Sequence, residues 1–188
     1  MKPISTIFFF PFVICFSFVP SQISATRLVA TKTTTNGIDL IQNICQQAHA
    51  KDICINGLRS DPNSLTADLK GLALIAIRVA ASNATDTSEH LKLLLNDDSM
   101  DPAVQQGLTD CMDSYIDASQ QLDDSVVSLL ENSNQVDVRA WLLAAVAAAD
   151  TCEDSLKGNE KLLQQKNLVF RRFCNIALLV NRALTTGA

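Results

Sequence analysis

Apolar residues recur along this chain at spacings of three and four, and runs that alternate apolar with polar are nearly absent. That period belongs to helices buried along one stripe. Four long segments carry it. The first runs from about Ser64 to Leu95, with Leu65, Leu69, Leu72, Ala76 and Val79 in line. The second opens at Asp101-Pro102, where Asp suits an N-cap and Pro the first helical position. Its line is Val104, Leu108, Cys111, Tyr115, Ala118, Leu122, Val126 and Leu129. The third, about Asp137 to Leu156, aligns Val138, Leu142, Ala145, Ala149, Cys152 and Leu156. The fourth, about Lys161 to Leu184, aligns Val169, Phe173, Ile176, Val180 and Leu184.

Two shorter periodic stretches precede these, Ile38 to Ala48 and Lys51 to Leu58, with Asn36 placed to cap the first. Asp61-Pro62-Asn63-Ser64 then stops the hairpin and caps the next element. Connections are short, so successive helices run antiparallel. The expectation is an all-α fold: an N-terminal α-helical hairpin over residues 37–60, then an up-down-up-down four-helix bundle over 61–188.

The N-terminus follows another pattern. One basic residue, Lys2, precedes the apolar run Ile4 to Val19, and small residues follow at Ser21, Ser24 and Ala25. This reads as a secretory signal peptide over residues 1–25, and the Thr-rich segment 26–36 as a disordered arm. Pro11 interrupts the apolar run, and no later stretch approaches the roughly 18–20 apolar residues that span a bilayer. A secreted chain makes Asn83, in the sequon Asn83-Ala84-Thr85, a candidate glycosylation site.

Without Lys2 the chain holds 14 of its 15 basic residues against 20 acidic ones, a formal charge of −6. That balance, with no basic cluster in the sequence, argues against nucleic acid and anionic membranes as partners. Of six cysteines, Cys15 leaves with the leader and five remain. Spacing reads as a short clip, Cys45–Cys54, a staple between two helices, Cys111–Cys152, and an unpaired thiol, Cys174. With Cys174 set aside three connectivities are possible, and locality favours this one.

Catalytic chemistry has little to build on. His49 and His90 fall on different elements, and no nucleophile motif lies beside either. Glycine-rich phosphate loops, metal-ligand spacings and calcium-loop signatures are absent, so neither cofactor nor metal is implied. Cys174 lies among Phe173, Ile176 and Ala177, the setting of a buried structural thiol. One surface feature is distinctive. On the second long helix Asp110, Asp113, Asp117, Asp124 and Glu131 fall within about 60° of one another, opposite the apolar line. Like charges four apart oppose the helix slightly, so the stripe does not serve local stability. It is a solvated face or a docking edge.

Certain segments, taken in order, carry a resemblance. Cys45 and Cys54 stand with eight residues between them. Leu58-Arg59-Ser60-Asp61-Pro62 and Asp68-Leu69-Lys70-Gly71-Leu72 follow, then Cys111 with Tyr115, then Thr151-Cys152-Glu153-Asp154-Ser155. Together they resemble the plant inhibitor family that acts on pectin methylesterases and invertases, over about Leu40 to Leu184. The resemblance implies the same hairpin and bundle, two disulfides in consecutive order, and a free cysteine near Cys174. It also implies a non-catalytic, cell-wall protein that caps a partner enzyme's cleft in a one-to-one complex. In the pectin methylesterase branch, contacts carried over by position fall on Asp113, Tyr115, Asp117, Thr151 and Asp154. That branch has a carboxylate where this chain has Gln120. The invertase branch, the alternative, often carries Pro-Lys-Phe before the third bundle helix. Here that stretch is Asn132-Ser133-Asn134-Gln135-Val136-Asp137, which favours pectin methylesterase as the target.

Overall fold

A computed structural model describes residues 36–131 and 135–187. The expected signal peptide, nearly all of the Thr-rich arm and Asn132-Ser133-Asn134 lie outside the described residues. Helices α1 (Gly37–Cys45) and α2 (Lys51–Arg59) form the hairpin, and α3 (Leu69–Leu95), α4 (Pro102–Leu130), α5 (Gln135–Ser155) and α6 (Gln164–Thr186) form the bundle. Single 3-10 turns at Pro62–Leu65 and Glu160–Leu162 lead into α3 and α6. Among the described residues there is no strand.

Side chains start these helices where the sequence offers short acceptors. Asn36 Oδ1 accepts the Asp39 N–H at 3.0 Å, and Asp101 Oδ1 accepts the Ala103 N–H at 2.8 Å, with Pro102 in the first turn. The first bundle helix begins later than its sequence suggests. Asp61 caps only the 3-10 turn, through the Asn63 N–H at 2.9 Å, whereas Asp68 caps α3 through the Gly71 N–H at 2.7 Å. Leu65, expected at the head of the apolar line, is accordingly exposed. At the C-terminus of the last helix Gly187, at φ 68°, closes α6 in the left-handed conformation that glycine adopts without strain.

The helices pack in a ring, α3 on α4, α4 on α5, α5 on α6 and α6 on α3, and the hairpin lies on α3 and α6. The core holds Leu72, Ala76, Leu108, Cys111, Leu122, Leu142, Ala145 and Ala149, as their spacing requires. On α6 Ile176 and Val180 are buried as expected, but in the first half of the helix the buried line is turned by a residue from the expected one. Asn167, Phe170, Cys174 and Ala177 face inward, while Val169 and Phe173 are half-buried. Phe173 is drawn aside because its ring covers Gly57 of α2, where a side chain would have no room. α6 therefore serves two interfaces, bundle core and hairpin.

Two disulfides complete the frame. Cys45–Cys54 closes the hairpin with Cα atoms 5.6 Å apart, and Cys111–Cys152 joins α4 to α5 at 4.4 Å. Cys174 is free and buried. Near the second bridge Gly107 lets α4 lie directly against the carbonyl of Ser155, an approach that a Cβ would block. Residue 107 thus faces 155 and residue 111 faces 152, an antiparallel register fixed at one end of the pair.

Candidate protein-docking site

The acidic stripe of α4 and the solvent side of α5 lie on the two helices that this bridge joins. Asp110, Asp113 and Asp117 are exposed and Asp124 is half-buried. Gln106 donates to Asp110 Oδ1 at 2.8 Å and Gln120 to Asp124 Oδ1 at 3.1 Å, which fixes those two carboxylates along the helix. Asp113 and Asp117 have no hydrogen bond or ion pair among the described residues, so their oxygens stay open to an incoming donor. Thr151 and Asp154 are exposed on α5. At about 100° per residue, Thr151 falls on the flank of α5 that adjoins α4. The disulfide register therefore carries residues some 40 positions apart in sequence to one surface.

The opposite flank of α5 has a different electrostatic state. Arg171 of α6 donates to Asp150 Oδ1 at 2.5 Å and to Glu153 Oε2 at 2.8 Å, so those two carboxylates are spoken for. Negative charge without a local counter-ion is thus left at Asp113 and Asp117 of α4 and at Asp154 on the outer side of α5.

Tyr115 does not belong to that surface. It is fully buried, and its hydroxyl donates to Asn167 Oδ1 at 2.9 Å. Its ring lies 4.9 Å from that of Phe170, and Asn167 Nδ2 approaches Cys152 Sγ at 3.6 Å. Burial pushes the phenol above its ordinary range. Tyr115 therefore ties α4, α6 and the disulfide together from inside, and its carry-over as a contact residue is corrected: nothing of it reaches solvent. Its place in the apolar line of α4 already pointed inward. Ile116, its neighbour, was missed. It is 55% exposed and stands three residues from Asp113, an apolar side chain beside the stripe.

The remaining candidates are inert or sheltered. Burial pushes the Cys174 thiol well above its ordinary range, away from the thiolate that nucleophilic chemistry needs. His49 is exposed in the α1–α2 turn and His90 is half-buried on α3. Asn83 sits within α3 rather than in a loop, half-buried, with its Oδ1 enclosed and unpartnered. Among the described residues no group of three His, Cys, Asp or Glu could hold a metal ion, and no helix is long and apolar enough to cross a membrane.

The family described as "Plant invertase/pectin methylesterase inhibitor" matches residues 39–180. A pectinesterase inhibitor from Actinidia deliciosa is 31% identical over 148 residues, 77% of this chain and 79% of that protein. A relative from Arabidopsis thaliana, named cell wall / vacuolar inhibitor of fructosidase 2, is 28% identical over 81% of this chain and 86% of its own length. In fold, the chain is similar to a crystal structure of a mutant form of a pectin methylesterase inhibitor from Arabidopsis. The TM-score is 0.65 at 23% identity, covering 76% of this chain and 95% of the other.

Proposed function

The chain belongs to the plant invertase/pectin methylesterase inhibitor family, and from that premise we propose that it is a secreted inhibitor of pectin methylesterase. It acts without chemistry of its own. The α4–α5 face plugs the enzyme's substrate cleft in the cell wall, so the polysaccharide chain is excluded and its esters stay intact. The observation that carries this reading is the placement of Asp113, Asp117, Thr151 and Asp154 on one exposed face over a disulfide-locked helix pair. A face that is rigid before binding loses little conformational entropy on docking. Ile116 supplies an apolar anchor beside the charges, and an interface of this kind buries on the order of 1,600 Å² in a one-to-one complex.

Inhibition of acid invertase is the second reading, favoured by the similarity to the fructosidase inhibitor. Titrating the purified protein against one plant pectin methylesterase and one plant acid invertase separates the two. Stoichiometric loss of esterase activity with invertase unaffected supports the first reading, and the reverse supports the second.

A further inference from the structure

The fold assembles a basic cleft that the sequence does not display. Between the α1–α2 turn, α5 and α6 lies a half-open cleft of about 1040 Å³, at the upper end of the roughly 300–1,000 Å³ range of ligand sites. Arg139 comes to it from α5, Arg172 and Arg182 from α6, and His49 from the turn, while no Asp or Glu lines it. In a chain of net charge −5 this is a local reversal of sign. Unlike neighbouring Arg171, these three arginines make no ion pair among the described residues. Their planar guanidiniums suit carboxylates in a bidentate pairing.

Two more observations narrow the ligand. Leu143, Ile176 and Leu179 line the same cleft, so it offers apolar surface beneath and between the charges. Asn181 also lines it, is 2% exposed, and its Oδ1 is buried with no hydrogen-bond partner. An enclosed acceptor of this kind is costly unless something donates to it. We propose that this cleft binds an amphiphilic carboxylate bearing a hydroxyl group, its acid held by the arginines, its apolar body on the leucines and its hydroxyl donating to Asn181. The site lies toward the N-terminal half of α5, roughly 12 Å along the helix from Thr151, and is separate from the proposed docking face.

Isothermal titration calorimetry of the full protein tests this with five probes: dodecanoate, its 2-hydroxy and 12-hydroxy forms and dodecyltrimethylammonium, all below their micelle concentrations, and a trigalacturonate. A hydroxylated acid should bind saturably, at least fivefold tighter than dodecanoate, and the cation should not bind. Arg139→Ala with Arg182→Ala should weaken binding at least tenfold. Leu143→Glu, at a 47% exposed position, should do the same with unchanged melting temperature and unchanged esterase inhibition. Asn181→Leu should erase the hydroxyl preference. No saturable heat from any acid, cation binding as tight as anion binding, or tighter binding of a trigalacturonate than of any of these acids would overturn the assignment.

Discussion

Replacing Tyr115 with Phe removes one oxygen from the interior and separates a core role for this residue from a contact role. Tyr115 and Asn167 are both 0% exposed, so without the hydroxyl Asn167 Oδ1 loses its 2.9 Å donor and no water can replace it. An orphaned buried acceptor costs about 1–3 kcal/mol. Losing a polar group from the core offsets part of that, while the packing on Phe170 stays. The expected net destabilisation is about 1–2 kcal/mol. For a domain of this size that is a fall of about 3–6 °C in melting temperature. Asn167→Leu removes the hydroxyl's 2.9 Å acceptor instead, leaves it only Thr87, and should cost no more than the first change. The double variant should be more stable than the sum of the singles by about 0.5–2 kcal/mol, because neither partner is then left behind. Urea unfolding measures all three. Inhibition at 25 °C, far below the transition, should be unchanged in Tyr115→Phe. The reasoning is refuted if that variant matches the parent in stability, or if it loses inhibition tenfold with stability intact.

Three further outcomes follow from the same structure. Cys111→Ser with Cys152→Ser opens a loop whose ends are 41 positions apart, and should lower unfolding free energy by about 4 kcal/mol in urea titrations; a loss below about 1 kcal/mol would contradict the chain-entropy account. Cys174, buried and with its thiol pushed up by burial, should resist iodoacetamide in the native protein and react once in denaturant. Rapid native labelling would show that α6 opens. Expressed through a eukaryotic secretory pathway, the protein should be mostly unglycosylated at Asn83, because the residue is half-buried in the middle of α3 rather than in a loop; an intact mass shifted wholly by a glycan would place Asn83 outside the packed helix.

The helices could be read from the chain because the three-four repeat leaves few other ways to bury so many apolar residues. The errors have particular causes. Asp61 has the look of a cap for the long helix, yet it caps only the 3-10 turn, and the carboxylate of Asp68 starts α3. On α6 the inward line runs through Asn167 and Cys174, which an apolar count passes over, while Phe173 is recruited by Gly57 of the hairpin. The acidic stripe was visible because it lies on one helix. The arginine cleft was not, because Arg139 and Arg182 meet only after α5 and α6 pack. Tyr115 shows the limit of carrying a contact over by position: a matched residue keeps its place in the chain, yet its side chain follows the packing around it.

The account rests on the α4–α5 face as the surface that meets the enzyme. Asp113→Lys with Asp117→Lys tests it most directly, since both side chains are exposed, one like-charge pair at four-residue spacing merely replaces another, and Lys favours the helix more than Asp does. Inhibition constants against pectin methylesterase, measured beside far-ultraviolet circular dichroism, should rise well beyond tenfold with helicity unchanged. An unchanged inhibition constant in a folded variant would mean that the plug is another surface of the molecule.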